Sequence, residues 1–207
     1  MLVINMKSIL VALICKQCMY KTHKKSETLI MPDFEPNLRE ELIAGTFFKK
    51  RCPCCGKVIE FVHQVLYVDK EHQFILMIKP QSDFKKEDDS LFKGNNHSKK
   101  RYISHIADVA EKIVILENSL DDRVIEILKV KLILRAKRRK QEVTSIRYHD
   151  IDRQSDTIWF DIEVDEQHDV VAVTMDSYKQ IQKQLPKEKD DGFIEIHMAW
   201  GIHHLNS

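Results

Sequence analysis

Five cysteines fall within the first 55 residues of the 207-residue chain, and four form two Cys-x-x-Cys pairs, Cys15-Lys16-Gln17-Cys18 and Cys52-Pro53-Cys54-Cys55. Two intervening residues let the chain turn tightly, so that both sulfurs face one ion while backbone N–H groups point at them. Two such turns supply four thiolates, and the closed tetrahedron they build suits a structural zinc ion. Pro53 presets φ for the second turn, and Gly56 follows where the chain leaves it in a conformation awkward for a side chain. The first pair carries Met19 in place of that glycine. The expected ligands of one structural Zn2+ are therefore Cys15, Cys18, Cys52 and Cys55, with iron in a rubredoxin-like site as the less favoured metal. Using Cys54 instead would leave a one-residue chelate turn, so it reads as a free thiol. A redox dithiol needs one pair and would leave the other unexplained. His23 and His63 read as bystanders. Four thiolates leave no open coordination position, which argues against catalysis at the metal.

The remaining reactive side chains say less. Asp161, Glu163 and Asp165 alternate with apolar residues along one strand and do not converge, so they read as a solvated sheet face. His203-His204 read as a frayed tail. A basic run, Lys129, Lys131, Arg135, Lys137, Arg138, Arg139 and Lys140, reads first as neutralising the C-terminal dipole of a long helix. Its sharper reading is a phosphate-contacting patch built on Lys131, Arg135, Arg138 and Arg139. No Gly-rich phosphate loop, nucleophile–base spacing or His-x-x-x-His motif occurs. The sequence leans away from an enzyme, leaving only a site assembled from distant residues, remote from the zinc.

Composition sets the frame for these residues. Hydrophobic residues make up 43% and charged residues 31%, and the formal net charge is +1. This is a soluble globular composition without a global field toward nucleic acid or anionic lipid. Ser8–Ile14 follows Lys7 and precedes Cys15, superficially like a lipoprotein signal, but Leu13 and Ile14 stand where cleavage requires small side chains. A buried strand accounts for it better. No segment reaches transmembrane length, and no membrane association is expected. A cytoplasmic location follows, where paired thiols stay reduced and bind metal.

The elements that must carry the cysteines read as an α+β protein. Residues 1–80 form a zinc-ribbon or rubredoxin-like two-knuckle β module. Its 33-residue gap between the cysteine pairs exceeds a minimal ribbon and holds a short helix over residues 35–45, with Pro36 in the first turn and Gly45 at the end. Residues 46–48 lead into the second knuckle as a strand. Residues 58–67 and Phe74–Ile78 read as a β-hairpin. Residues 81–103 read as an exposed loop or linker. A helical pair over 104–140 follows, with Ser104 capping the first helix and Ser119-Leu120-Asp121-Asp122 a capping box for the second. That second helix is apolar over more than half its surface, so it is buried on several sides or packs against a partner as well as its own core. Residues 141–207 read as antiparallel β structure with strands at 144–149, 157–164, 170–174 and 193–199 and a short helix at 176–185.

Taken together, Cys15-x-x-Cys18, residues 33–45, Cys52-Pro53-Cys54-Cys55-Gly56, Tyr67-Val68-Asp69, Pro80, Glu111-Lys112-Ile113 and Leu120-Asp121-Asp122-Arg123 resemble the CpXC family over roughly residues 12–140. That family is named for its Cys-Pro-x-Cys motif and is regarded as a zinc-binding domain of unknown function. The resemblance implies the four thiolate ligands and no activity. The expected role is a zinc-organised scaffold that binds an unknown protein partner; a nucleic-acid-binding zinc ribbon and an enzyme with a remote site are the alternatives.

Overall fold

The computed structural model describes residues 8–80, 98–188 and 192–205. The chain divides into two compact units, Met1–Ala110 with Gly192–Ile194, and Glu111–Asp191 with Glu195–Ser207. The architecture is mixed α+β. No helix among the described residues is long and apolar enough to cross a membrane.

The first unit contains β1 (Ser8–Ile14), β2 (Lys21–Glu27), β3 (Leu29–Ile30), α1 (Pro36–Ile43), β4 (Lys49–Arg51), β5 (Val58–Glu60), β6 (Val65–Asp69), β7 (Phe74–Ile78) and β8 (Lys99–Ile103). β1 and β2 form one antiparallel hairpin, and β4 and β5 a second. A four-stranded sheet, ordered β3-β6-β7-β8, carries the larger core. Its central strand β7, Phe-Ile-Leu-Met-Ile, is buried along its whole length, as a continuous apolar run in an interior strand should be. The β6–β7 turn is held by Asp69, which accepts hydrogen bonds from the backbone N–H and Nδ1 of His72.

Several expectations change here. The stretch 58–67 is two strands rather than one: β5 completes the second hairpin, and β6 enters the large sheet. The strand before the second knuckle starts at Lys49, not at Thr46. Residues 81–97 lie outside the described residues, but 99–103, expected as loop, form the buried strand β8. Three consecutive charged residues, Lys99, Lys100 and Arg101, hide that strand from pattern reading. β1 runs over the expected residues, yet only Leu13 on it is buried, so it is not a core strand.

The second unit is built on α3 (Asp122–Arg138), which follows α2 (Val109–Glu117). A meander of β9 (Val143–Asp152), β10 (Thr157–Val164) and β11 (Gln167–Thr174) packs on it, with α4 (Met175–Gln184) and α5 (Met198–Leu205). Ile158, Phe160 and Ile162 of β10 join Val124, Ile125 and Leu128 of α3 in one core. The apolar excess on α3 reflects packing by β9, α4 and α5. Its cap is Asp121, whose carboxylate accepts from the Arg123 N–H. Ser119 is not the cap; it takes φ of 58° in the preceding turn. Before the first helix, the Ser104 hydroxyl pairs with His105 Nδ1 at 2.8 Å. The expected strand at 193–199 reduces to one bridge, Ile194 to Arg101. The chain then turns into α5, whose start is tied by the Trp200 N–H donating to His197 Nδ1. His203 and His204 belong to this helix rather than to a frayed tail, with the His204 ring stacked on Trp200 at 3.8 Å.

Candidate metal centre

The two cysteine pairs form turns with the same hydrogen-bond pattern. In the first, the Met19 N–H donates to the Cys15 carbonyl at 2.8 Å and the Cys15 N–H to the Tyr20 carbonyl at 3.0 Å. In the second, the Gly56 N–H donates to the Cys52 carbonyl at 2.9 Å and the Cys52 N–H to the Lys57 carbonyl at 2.7 Å. Each turn closes the tip of one hairpin, so strand pairing on either side sets where its sulfurs point. Met19 and Gly56 occupy the same position, with φ of 59° and 72°. The methionine therefore carries a left-handed conformation that costs an L side chain about 1 kcal/mol or more. Its side chain is exposed, so Met19→Gly removes that strain without losing packing. We expect a gain of about 0.5–1 kcal/mol after the added freedom of the unfolded chain is subtracted, read from urea unfolding of the metal-loaded protein.

The sulfurs of Cys15, Cys18, Cys52 and Cys55 converge within 4.8 Å of one another. Cys15 and Cys55 stand 3.6 Å apart, as do Cys18 and Cys52. At a Zn–S length of about 2.3 Å a tetrahedron has S···S edges of about 3.8 Å, so the donor set fits a tetrahedral thiolate-bound metal. Cys54 lies in the second turn but outside this cluster, and it is exposed. Neither His23 nor His63 joins the cluster. His63 Nε2 instead pairs with the buried Ser26 hydroxyl at 2.8 Å.

Crowding divides the thiols electrostatically. The backbone N–H of Cys18 is the largest influence drawing Cys15 down, to about 6. Cys52 is also lowered, because backbone N–H groups of Cys55 and Cys54 and the neighbouring thiols outweigh its burial. For Cys18 the Tyr20 N–H pulls downward, but burial and the three neighbouring sulfurs push the thiol up. Cys55 is likewise raised against the pull of the Lys57 N–H. Four sulfurs this close cannot all ionise without a cation between them, which is the demand a divalent metal meets.

Cross-hairpin contacts align the two turns. Lys24 of β2 donates to the Phe47 carbonyl at 2.7 Å and lies over the Phe47 and Phe61 rings at 5.5 and 5.2 Å. Lys50 of β4 reaches back to Thr22 Oγ1 at 3.0 Å and to the His23 carbonyl. Phe48 and Phe61 pack edge-on beside His63. Each hairpin thus braces the other through lysines.

Lys131, Arg135, Arg138 and Arg139 are exposed at the end of α3. Lys129, read as part of the same run, is not: it is buried against Glu111 at 3.1 Å and Glu126 at 2.9 Å. It belongs to a buried charge network that sequence reading missed. Lys112 donates to Asp122 Oδ2 at 2.9 Å and to the Ile196 carbonyl at 2.7 Å, with Glu126 at 3.8 Å. Glu111 also accepts the Tyr148 N–H at 2.6 Å, beside the bulge that displaces His149 from the β9–β10 ladder. The detectable signal was Asp122, Glu126 and Lys129 at i, i+4 and i+7 in the otherwise apolar part of α3.

Burial raises the Glu126 carboxyl above its ordinary 4.5, with Glu111 adding to the rise and Lys129 and Lys112 opposing it. The folded state thus holds this proton more tightly than the unfolded chain. The stabilisation is complete below about 4.5 and is lost as pH climbs through the folded value. Burial pulls Lys129 down, but Glu111 and Glu126 outweigh it, so its raised value adds stability that persists below 10.5 and is lost above. Glu126→Gln should therefore flatten the decline in urea midpoint above about pH 4.5, and it should shrink the alkaline limb, because Lys129 loses one of the two carboxylates that raise it.

A family model described as CpXC protein matches residues 13–129. The match contains all four converging cysteines and runs into α3. No curated protein and no solved structure matches the chain.

Proposed function

The chain belongs to the CpXC family, and on that premise we propose that it is a zinc-binding scaffold whose metal is structural and whose surface binds another protein. The ligands are Cys15, Cys18, Cys52 and Cys55. The convergence of four sulfurs with tetrahedral spacing carries this reading, because four thiolates occupy every position a tetrahedral metal offers. Softness of the donors favours zinc over oxygen-seeking cations, with iron the competing metal. The reducing cytoplasm suits thiols that must stay unoxidised.

Cobalt tests the ligand set directly. Co2+ added to the metal-free chain should develop the intense visible absorption of a tetrahedral four-thiolate site. Cys54→Ser should leave that spectrum unchanged, and Cys55→Ser should weaken and shift it. The reverse pattern would replace Cys55 by Cys54 and undo the proposed site.

A second reading rests on the end of α3. Lys131, Arg135 and Arg139 follow one another at four-residue steps and line two adjoining clefts beside Leu132; Arg138 is exposed nearby. Such a stripe suits a phosphate backbone. Affinity for DNA or RNA that falls steeply with salt and is lost when Arg135, Arg138 and Arg139 become Glu would establish this reading; affinity unchanged by that triple change would remove it.

A further inference from the structure

We propose that the slot between the two knuckle hairpins docks an extended acidic polypeptide segment, which adds as a strand to the open edge of β1. The proposal rests on the scaffold reading, since the metal would hold the two walls of the slot, and it deepens that reading by naming the partner's chemistry.

The backbone supplies the first argument. Among the described residues β1 pairs only with β2, and β5 only with β4. The Cys15 N–H points at β2, so by alternation Leu13, Val11 and Ile9 direct their backbone groups to that strand. Ile14, Ala12 and Leu10 turn theirs to the open side. The same argument from the Cys52 N–H leaves Val58 and Glu60 facing away from β4. A cleft of about 460 Å³ continues from the Ile14 end of the β1 edge, lined by residues 14–17 on one side and 57–60 on the other.

The side chains supply the second. Leu10, Ile14 and Val58 are 69%, 50% and 51% exposed, and an open edge carrying such residues is a template for a further strand. Opposite Leu10, Ala12 and Ile14 on β2 stand Lys25, His23 and Lys21, so a cationic row borders the apolar one. Lys16 and Lys57 stand on the two walls of the cleft, with Glu60 as the counter-charge.

Charge selects the occupant. Segments 15–27 and 46–61 hold eight Lys and Arg against two Glu, although the whole chain is nearly neutral at +1. A second copy would bring the same positive field, which disfavours self-pairing. The apolar side chains named on the slot are aliphatic, so nucleobases lack a stacking platform there. An acidic chain with alternating apolar residues meets all three features: ladder groups, apolar row and cations.

The test titrates an end-capped octapeptide of alternating Glu and Val into the zinc-loaded full chain, followed by backbone amide shifts, with metal content measured on each sample. Saturable shifts centred on Leu10, Ala12, Ile14 and Val58 are expected, with affinity falling roughly tenfold from low to physiological salt. Ala12→Pro deletes an outward N–H while sparing the β1–β2 ladder, and it should abolish binding. Lys16→Glu with Lys57→Glu should weaken binding at least about tenfold by an independent route. Absence of these shifts, unchanged affinity in both variants, preference for oligothymidylate over the peptide, or pairing of two copies through β1 would each overturn the proposal. Chains that hold one zinc and fail to bind the peptide refute the docking site alone; chains that hold no zinc refute the scaffold reading beneath it.

Discussion

Stripping the metal with a strong chelator is expected to unfold the two knuckle hairpins while α3 and its sheet stay folded. Each hairpin is a two-stranded sheet, a unit marginal in water by itself. The apolar support around the knuckles is small, with Leu13, Phe47, Phe48, Ile59 and Phe61 buried there. Four-thiolate zinc binding contributes about 10–16 kcal/mol in small metal-folded modules, as much as the whole net stability of a typical domain, about 5–15 kcal/mol. No rearrangement of five apolar side chains replaces that. Hydrogen exchange resolves the prediction by residue. Amide protection at Leu13, Cys15, Cys52 and Ile59 should collapse on chelation, while protection at Ile125, Leu128 and Phe160 persists. Readdition of zinc should restore the first group.

Replacing Lys112 by Met should cost about 3–5 kcal/mol, the penalty for removing one partner of a buried ion pair. Asp122 is fully buried, and Lys112 stands 2.9 Å from it. The same ammonium neutralises Glu126 from 3.8 Å and satisfies the Ile196 carbonyl before α5. Methionine fills the volume of the stem, so the loss reports charge and hydrogen bonding rather than a cavity. Asp122→Asn added to Lys112→Met should recover part of the loss, since the buried partner then carries no charge either. Urea unfolding monitored on the second unit measures both. Metal content should be unaffected, which separates this network from the cysteine site.

The candidate site was legible in the sequence because its geometry is local. A Cys-x-x-Cys pair dictates its own turn, and two of them need only be brought together. Gly56 likewise announced its left-handed position, whereas Met19 concealed the matching one by carrying the same conformation on an L residue. The helix at Pro36–Ile43, the β6–β7 hairpin and the alternation of β10 follow from proline, turn residues and period-two burial. What stayed hidden depends on partners distant in sequence. β8 reads as a charged loop because its pairing with β7 is non-local. The short segment 193–199 has an apolar pattern compatible with strand or helix, and α5 wins where its contacts with α3 decide. Gly201 marks that contact: a Cβ there would lie 2.9 Å from the Glu126 carbonyl oxygen. The cationic character of the knuckles was masked by a balanced total, since charge averaged over a chain says nothing about where it gathers.

The most direct test of the proposed structural metal site is the metal content of the chain, purified without an affinity tag and analysed for zinc and iron by mass spectrometry beside Cys15→Ser and Cys52→Ser. One zinc per chain, lost in both variants together with the fold of the knuckle hairpins, is the result this account predicts. A metal-free chain whose variants remain soluble and folded would contradict it and turn attention to the chemistry of the thiols themselves.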